Sequence, residues 1–257
     1  MRSIQNIIQE IHELQEKFRI GGISFPDDTF TYNKKWIMEF CTKYKKEIDL
    51  PFTCNGRVEN IDNRLCNVLK KANCNSIMFG VESGSEKIRK EILNRTISDE
   101  MIISAFRNVK RVGIKTFSYN MVGIPYETMD DINKTIELNK KIKPDEVQTT
   151  IFYPFPGTEL FYLCKKNGWI QDRKIKDYNS ESVMIYNHIN ADELKKARDN
   201  FAYNVFYDYN KMKAIRSLFI GKYYNIYLNV RGNTPILLRQ MIQKLANTFY
   251  YEWDVKK

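Results

Sequence analysis

The chain has 257 residues, 43% of them hydrophobic, which is enough for one large domain or one domain with an extension. It carries 41 Lys and Arg against 31 acids, a formal net charge of +10 that is compatible with nucleic acid, an anionic membrane surface or an acidic protein partner and selects none of them. Five cysteines without a CxxC spacing argue against a disulfide framework or a metal clip, and no apolar run approaches the roughly 20 residues of a membrane span.

Ile4, Ile7, Ile8, Ile11, Leu14 and Phe18 recur at helical spacing, so the chain opens on an amphipathic helix rather than a signal peptide, and a cytoplasmic location is expected. A strand over 20–25 runs into Pro26-Asp27-Asp28-Thr29. Trp36, Ile37, Phe40, Cys41 and Tyr44 mark a helix, and a short strand over 51–55 leads to Asn55-Gly56-Arg57. Ile61, Leu65, Val68 and Leu69 give the next helix. A strand over 76–81 then delivers Gly80-Val81-Glu82-Ser83-Gly84-Ser85, followed by a polar helix-like stretch ending at Leu93-Asn94-Arg95. Ser98 caps a helix carrying Ile102, Ala105, Phe106 and Val109, which Gly113 stops.

A strand over 116–122 ends in Gly123-Ile124-Pro125-Tyr126-Glu127-Thr128, and a helix over 131–142 stops before Pro144. The last strand, 146–152, runs into Tyr153-Pro154-Phe155-Pro156-Gly157-Thr158 and a short helix ending near Gly168. Strands alternating with helices at this spacing predict parallel βαβ units. Five strands are too few for a closed eight-stranded barrel, and the series starts on a helix, leaving the first strand without its expected neighbour. The organisation expected is an α/β partial barrel over 1–170, a connector over 171–190 and a basic helical region over 191–257. In that last region Leu194, Ala197, Phe201, Val205, Tyr209 and Met212 predict one long helix. A loop over 231–235 and a helix over 236–249 follow. Its Lys/Arg, interleaved with Phe219, Tyr223, Tyr224 and Tyr227, suit either phosphates and bases or a solvated face on a cap whose aromatics pack inward.

In a parallel barrel the loops after the strands gather at one rim. This sequence places Asp27 and Asp28, Arg57, Glu82-Ser83-Gly84 with Arg95 downstream, and Gly123-Ile124-Pro125 there. Carboxylates for hydroxyl or ammonium groups, arginines for a carboxylate and a Gly/Pro edge for a planar base suit a nucleoside–amino-acid ligand. Glu82 admits a second reading, as the cap of the next helix. His12 and His188 have no motif around them, and the cysteines at 41, 54, 66, 74 and 164 read as buried free thiols.

Residues 25–30 (FPDDTF), 79–85 (FGVESGS), 94–95, 121–128 (MVGIPYET) and 153–158 (YPFPGT) resemble, in order and spacing, the radical S-adenosylmethionine (SAM) superfamily, particularly the branch in which a cobalamin-binding domain precedes the radical SAM domain. The resemblance covers 1–170. It implies a six-stranded partial (β/α) barrel, with Asp27 and Asp28 near the SAM amino group, Glu82 on the ribose hydroxyls and Arg95 on the SAM carboxylate. Gly123, Ile124 and Pro125 would border the adenine, and Arg57 would meet the polar end of SAM or the substrate.

Members of that family hold a 4Fe–4S cluster through a CxxxCxxC loop, which would fall just before residue 1 and is not in this chain. The chain is therefore expected to be the C-terminal portion of a radical SAM enzyme, completed by a missing N-terminal segment or a separate upstream polypeptide and inactive alone. The intact enzyme would methylate, cyclise or rearrange an unknown substrate through a SAM-derived radical, with cluster and cobalamin as further cofactors. Two alternatives stay open: a cluster-less SAM- or nucleotide-binding remnant, and a basic RNA- or protein-docking module on an inert barrel.

Overall fold

Helices start where the sequence supplies a capping oxygen. Ser3, Asn33, Asp62, Ser98, Thr128, Thr158 and Asn190 each accept a backbone N–H of the first turn. In the computed structural model, which describes residues 2–172, 174–175, 181–186 and 189–219, these caps open α1 (Ile4–Lys17), α2 (Lys34–Glu47), α3 (Asn63–Lys71), α4 (Asp99–Arg111), α5 (Met129–Ile142), α6 (Glu159–Lys166) and α7 (Ala191–Phe206). Thr128 and Asp131 form a reciprocal capping box at the head of α5.

Between the helices lie β1 (Ile23–Phe25), β2 (Phe52–Gly56), β3 (Cys74–Glu82), β4 (Lys115–Val122) and β5 (Glu146–Ile151). They form one parallel sheet in the order β1-β2-β3-β4-β5, so every strand pairs with its successor in the chain. This is the α/β partial barrel that the alternation of elements predicts. The turns entering β2 and β3 both use a left-handed residue, Asp49 and Asn73, and the Asn73 amide donates to the Asp49 carbonyl at 2.9 Å.

One face of the sheet carries the core. Ile77 and Phe79 of β3 pack with Ile102, Phe106 and Val109 of α4. At the β1 end, Phe25, Phe30, Phe40, Tyr44 and Phe52 form a ring cluster with centroids 4.8–6.3 Å apart. Each such ring contributes about 1.5–3 kcal/mol through burial. At the other end, Leu194, Phe201 and Val205 of α7 share a core with Val122 of β4, Ile132 of α5 and Ile151 of β5. The Lys140–Asp208 and Lys213–Glu146 pairs, at 2.8 and 2.9 Å, tie that C-terminal segment to α5 and β5. Helix α7 is thus part of the barrel's packing.

The expected helix through Met212 is broken. Helix α7 stops at Phe206, residues 207–209 turn, and helix resumes over 211–219 with the Asn210 side chain accepting from the Lys213 N–H. An Asn at a cap outcompetes continuation of the apolar pattern. The first strand is shorter than expected, beginning after Gly21 and Gly22. His188, the loop over 231–235, the helix over 236–249 and Tyr223, Tyr224 and Tyr227 lie outside the described residues. Among the described residues no helix is long and apolar enough to cross a membrane.

The loop after β3 lies directly on α5: a Cβ at Gly84 would sit 2.3 Å from the Lys134 carbonyl oxygen. Gly84→Ala is expected to lower stability by about 1–3 kcal/mol, as overpacking does. Gly21→Ala, where a Cβ meets nothing within 4 Å, is expected to be near neutral. Urea midpoints of the two variants measure the contrast.

Candidate functional site

Because all five strands are parallel, their C-terminal ends share one edge, and the residues expected at the rim do lie in the loops there. Asp27 and Asp28 are exposed in the turn after β1. Arg57 follows β2; its N–H donates to Thr31 Oγ1 at 3.1 Å, and its half-exposed guanidinium lies 3.4 Å from Glu59.

Glu82 ends β3 under constraint. Its φ is +64°, and the Ser83 N–H donates to the Val81 carbonyl at 2.8 Å, closing a three-residue turn around it. A γ-turn with positive φ is the rarer and strained form. The register of β3 on β4 shifts between Gly80 and Glu82, a bulge that re-aims the strand end. The carboxylate then folds back over Gly80, where a Cβ would lie 2.1 Å from Glu82 Oε1. Arg95 Nη1 bridges the pair, donating to the Gly80 carbonyl at 3.0 Å and to Glu82 Oε1 at 3.3 Å. Burial raises the Glu82 carboxyl above its ordinary range, and the Arg95 charge opposes that shift. Glu82 therefore faces Arg95 rather than capping the next helix.

The loop after β4 is organised by Glu127, a carboxylate the sequence reading placed only in passing at this rim. Its Oε2 accepts from the Gly123 N–H at 2.6 Å and the Ile124 N–H at 3.2 Å, and Oε1 lies 3.5 Å from the Ser83 hydroxyl. The Glu127 N–H closes the turn onto the Ile124 carbonyl at 2.9 Å, with Pro125 next in line and Tyr126 at φ +64°. That turn wants glycine where Tyr126 stands. Leu194 and Tyr186 pack against Gly123 so closely that a Cβ there would meet them at 2.8–2.9 Å. Since the N–H groups of Gly123 and Ile124 are taken up by Glu127, this edge offers a planar ligand apolar contact rather than donors.

Ser83 and Gly84 sit beneath the rim. Ser83 is fully buried, and the Gly84 N–H donates to Thr135 Oγ1 of α5 at 2.7 Å. Below them Arg89, fully buried in a π-helical turn over Ile88–Ile92, donates to the carbonyls of Ser83 (2.7 Å) and Ile97 (3.2 Å) and pairs with Asp99 at 2.6 Å. The sequence reading missed Arg89. It also missed the buried polar stripe Asp131, Thr135 and Asn139, whose four-residue spacing on α5 was the available signal.

The cysteines are distributed through the core. All five are buried free thiols, as expected. Burial pushes Cys41 up to about 12 and Cys66 up to about 11, and raises Cys74 as well. Among the described residues no three His, Cys, Asp or Glu side chains converge as a metal site.

The family model described as the radical SAM superfamily matches residues 1–138. The chain is 30% identical over 196 residues to an uncharacterised methyltransferase of Pyrococcus horikoshii, covering 76% of this chain and 42% of that protein. Among solved structures, coproporphyrinogen III oxidase of Escherichia coli, a radical SAM enzyme, is similar over 80% of this chain and 43% of its own, with TM-score 0.56 and 15% identity. The radical SAM methyltransferase TsrM of Kitasatospora setae, solved with cobalamin and a [4Fe–4S] cluster bound, is similar over 59% of this chain and 31% of its own, with TM-score 0.52 and 15% identity. The chain thus spans under half the length of these proteins, and it belongs to the radical SAM superfamily.

Glu127 gives the fold a pH signature. Burial pushes its carboxyl up to about 8, against the two backbone N–H groups. Between its ordinary value near 4.5 and about 8 the native state holds a proton that the unfolded chain has released, so this contribution is full below the lower value and is lost as pH rises to the upper. Urea midpoints are expected to fall across that window, and Glu127→Gln, neutral throughout, is expected to flatten the slope.

Proposed function

From that membership, we propose that the chain is the SAM-binding portion of a radical SAM enzyme that methylates, cyclises or rearranges its substrate. The observation that carries this reading is the Glu82–Arg95 pair. A carboxylate and a guanidinium are held at the C-terminal end of a central strand by a strained turn, over Gly80, where a Cβ would meet the Glu82 carboxylate. Strain of about 1–3 kcal/mol persists where the surroundings over-determine it, and such positions cluster at ligand sites.

On this reading the two groups exchange each other for one ligand. Glu82 accepts from the ribose hydroxyls, and Arg95 takes the SAM carboxylate in its fork of donors. Asp27 and Asp28 neutralise the amino group, Arg57 stands at the polar end, and Pro125 and Tyr126 lie along the base. Ser83 and Gly84 act from below, fixing the turn through α5. When bound, SAM supplies an activated methyl group or, on one-electron cleavage, a radical. Among the described residues no cysteine trio converges to hold the cluster. Its CxxxCxxC loop, and a cobalamin site, belong in this reading to polypeptide outside these 257 residues.

S-Adenosylhomocysteine titrated into the chain by calorimetry tests the SAM site. Saturable binding is expected, and Glu82→Gln and Arg95→Gln should each weaken it about tenfold or more, the loss of charge-assisted hydrogen bonds. Gly80→Ala should do the same by displacing the Glu82 carboxylate, while Tyr32→Ala, an exposed residue after β1, should leave it unchanged. Absence of binding to the wild type would sink the SAM assignment for this chain. Mass and iron analysis of the endogenous protein, purified without oxygen, tests the remainder: a species above 30.6 kDa carrying iron is expected.

A further inference from the structure

Between Glu82 and Arg95 the chain passes through a turn whose hydrogen bonds are not those of an α-helix. The Leu93 N–H donates back five residues to the Ile88 carbonyl at 3.1 Å, where an α-helix would send it to Arg89. This π-turn leaves the Arg89 carbonyl free of Leu93, and the Arg95 N–H donates to it at 2.8 Å. The Arg89 side chain runs the other way. Its Nη1 donates to the carbonyl of Ser83, the residue after Glu82, at 2.7 Å, and its Nε to the Ile97 carbonyl at 3.2 Å. Its Nη2 pairs with Asp99 at 2.6 Å and lies 3.6 Å from Glu86. One residue is thus bonded to the chain at both ends of the Glu82–Arg95 pair: beside Glu82 through its guanidinium, and at Arg95 through its main chain.

Stability alone does not call for an arginine at this position. The side chain is fully buried, and a buried ion pair replaced by apolar side chains of similar volume often leaves stability unchanged or higher. An apolar residue lacks a fork of donors that reaches the carbonyls of two separate loop segments at fixed angles. A lysine, with a single ammonium, lacks it too. The Glu82 and Arg95 side chains stand partly open to solvent with their nearest atoms 3.3 Å apart, so their placement depends on the main chain that carries them.

We propose that Arg89 is a positioning residue: with the π-turn that frees its carbonyl, it sets the relative placement of Glu82 and Arg95 before a ligand arrives, and so sets the affinity of the site. Groups already held in their bound arrangement lose little freedom on binding, which is the source of the gain. Arg89 itself touches no ligand in this arrangement and acts through Ser83 and Arg95. The inference rests on placing SAM at Glu82 and Arg95, and extends that reading to the residue beneath them.

Two measurements on the full chain test it, one with a ligand and one without. S-Adenosylhomocysteine is titrated by calorimetry into the wild type, Arg89→Lys and Ile37→Ala, each at a temperature where circular dichroism shows it folded. Arg89→Lys keeps a positive charge for Asp99 but cannot span both carbonyls, and is expected to bind about tenfold or more weakly. Ile37→Ala, a cavity in the core of α2, lowers the urea midpoint by an unrelated route and is expected to bind as the wild type does. Wild-type affinity in folded Arg89→Lys overturns the proposal, as does an equal loss in Ile37→Ala, which would mean that affinity only follows stability. Amide exchange read by NMR is the ligand-free measurement. The Arg95 amide of the wild type is expected to be protected about 100-fold or more without ligand, and to lose that protection in Arg89→Lys. Unprotected exchange at Arg95 in the wild type overturns the proposal even where the variant fails to fold. Protection without S-adenosylhomocysteine binding to the wild type strikes the SAM placement alone.

Discussion

The site depends on room at position 80. The Glu82 carboxylate occupies the space where a side chain on Gly80 would be, and the left-handed backbone of Glu82 turns the chain so that it reaches there. Two residues on, Gly84 lets the loop lie against α5. One five-residue run thus combines two close approaches with a strained turn. The strain is offset nearby by the fully buried Arg89, which satisfies two carbonyls and one carboxylate, and by the Gly84–Thr135 hydrogen bond. A buried guanidinium is tolerable only with such partners. The same bonds that stabilise the loop fix the direction in which Glu82 leaves the sheet.

What the sequence made legible follows from periodicity. Apolar runs and helical spacing mark the elements, the caps stand at helix starts, and the βα order dictates a parallel sheet, so the architecture could be read before the fold was known. The rim could be read for the same reason, since parallel strands send their following loops to one edge. Arg89 could not. In EKIRKE it looks like one more solvated charge, and only the π-helical turn, which shifts the helical register, brings it under the loop. Glu127 reads as a rim carboxylate, but its burial and its hold on Gly123 and Ile124 depend on how α7 and the Tyr186 segment close over the turn. The break after Phe206 was hidden because the apolar spacing continues through it while Asn210 restarts the helix.

The two faces of the sheet divide the work. The helix-covered face carries nearly all the apolar contacts and the buried polar stripe of α5. Substitutions there act first on stability, because close packing leaves little room to relax. On the concave face Met78, Phe117, Tyr119 and Met121 are half-exposed, with Met121 packed against the cluster of Ile124 and Phe152. Large apolar side chains left half-exposed in a row on a strand are a loss to solubility unless something covers them.

The basic composition fits this arrangement once its location is considered. Helices α2 to α5 each link two parallel strands, so their C-termini lie at the edge opposite the rim. Each ends on a basic pair: Lys45 and Lys46, Lys70 and Lys71, Lys110 and Arg111, Lys140 and Lys141. Cations there interact favourably with the helix dipole, as do the acids Asp99, Glu100, Asp130, Asp131 and Glu159 in first turns near the rim. Helix-end electrostatics therefore accounts for these eight positive charges and for their distance from the site. The excess that a reading of composition alone would assign to a polyanionic partner lies, in these elements, on the far side of the sheet from Glu82 and Arg95.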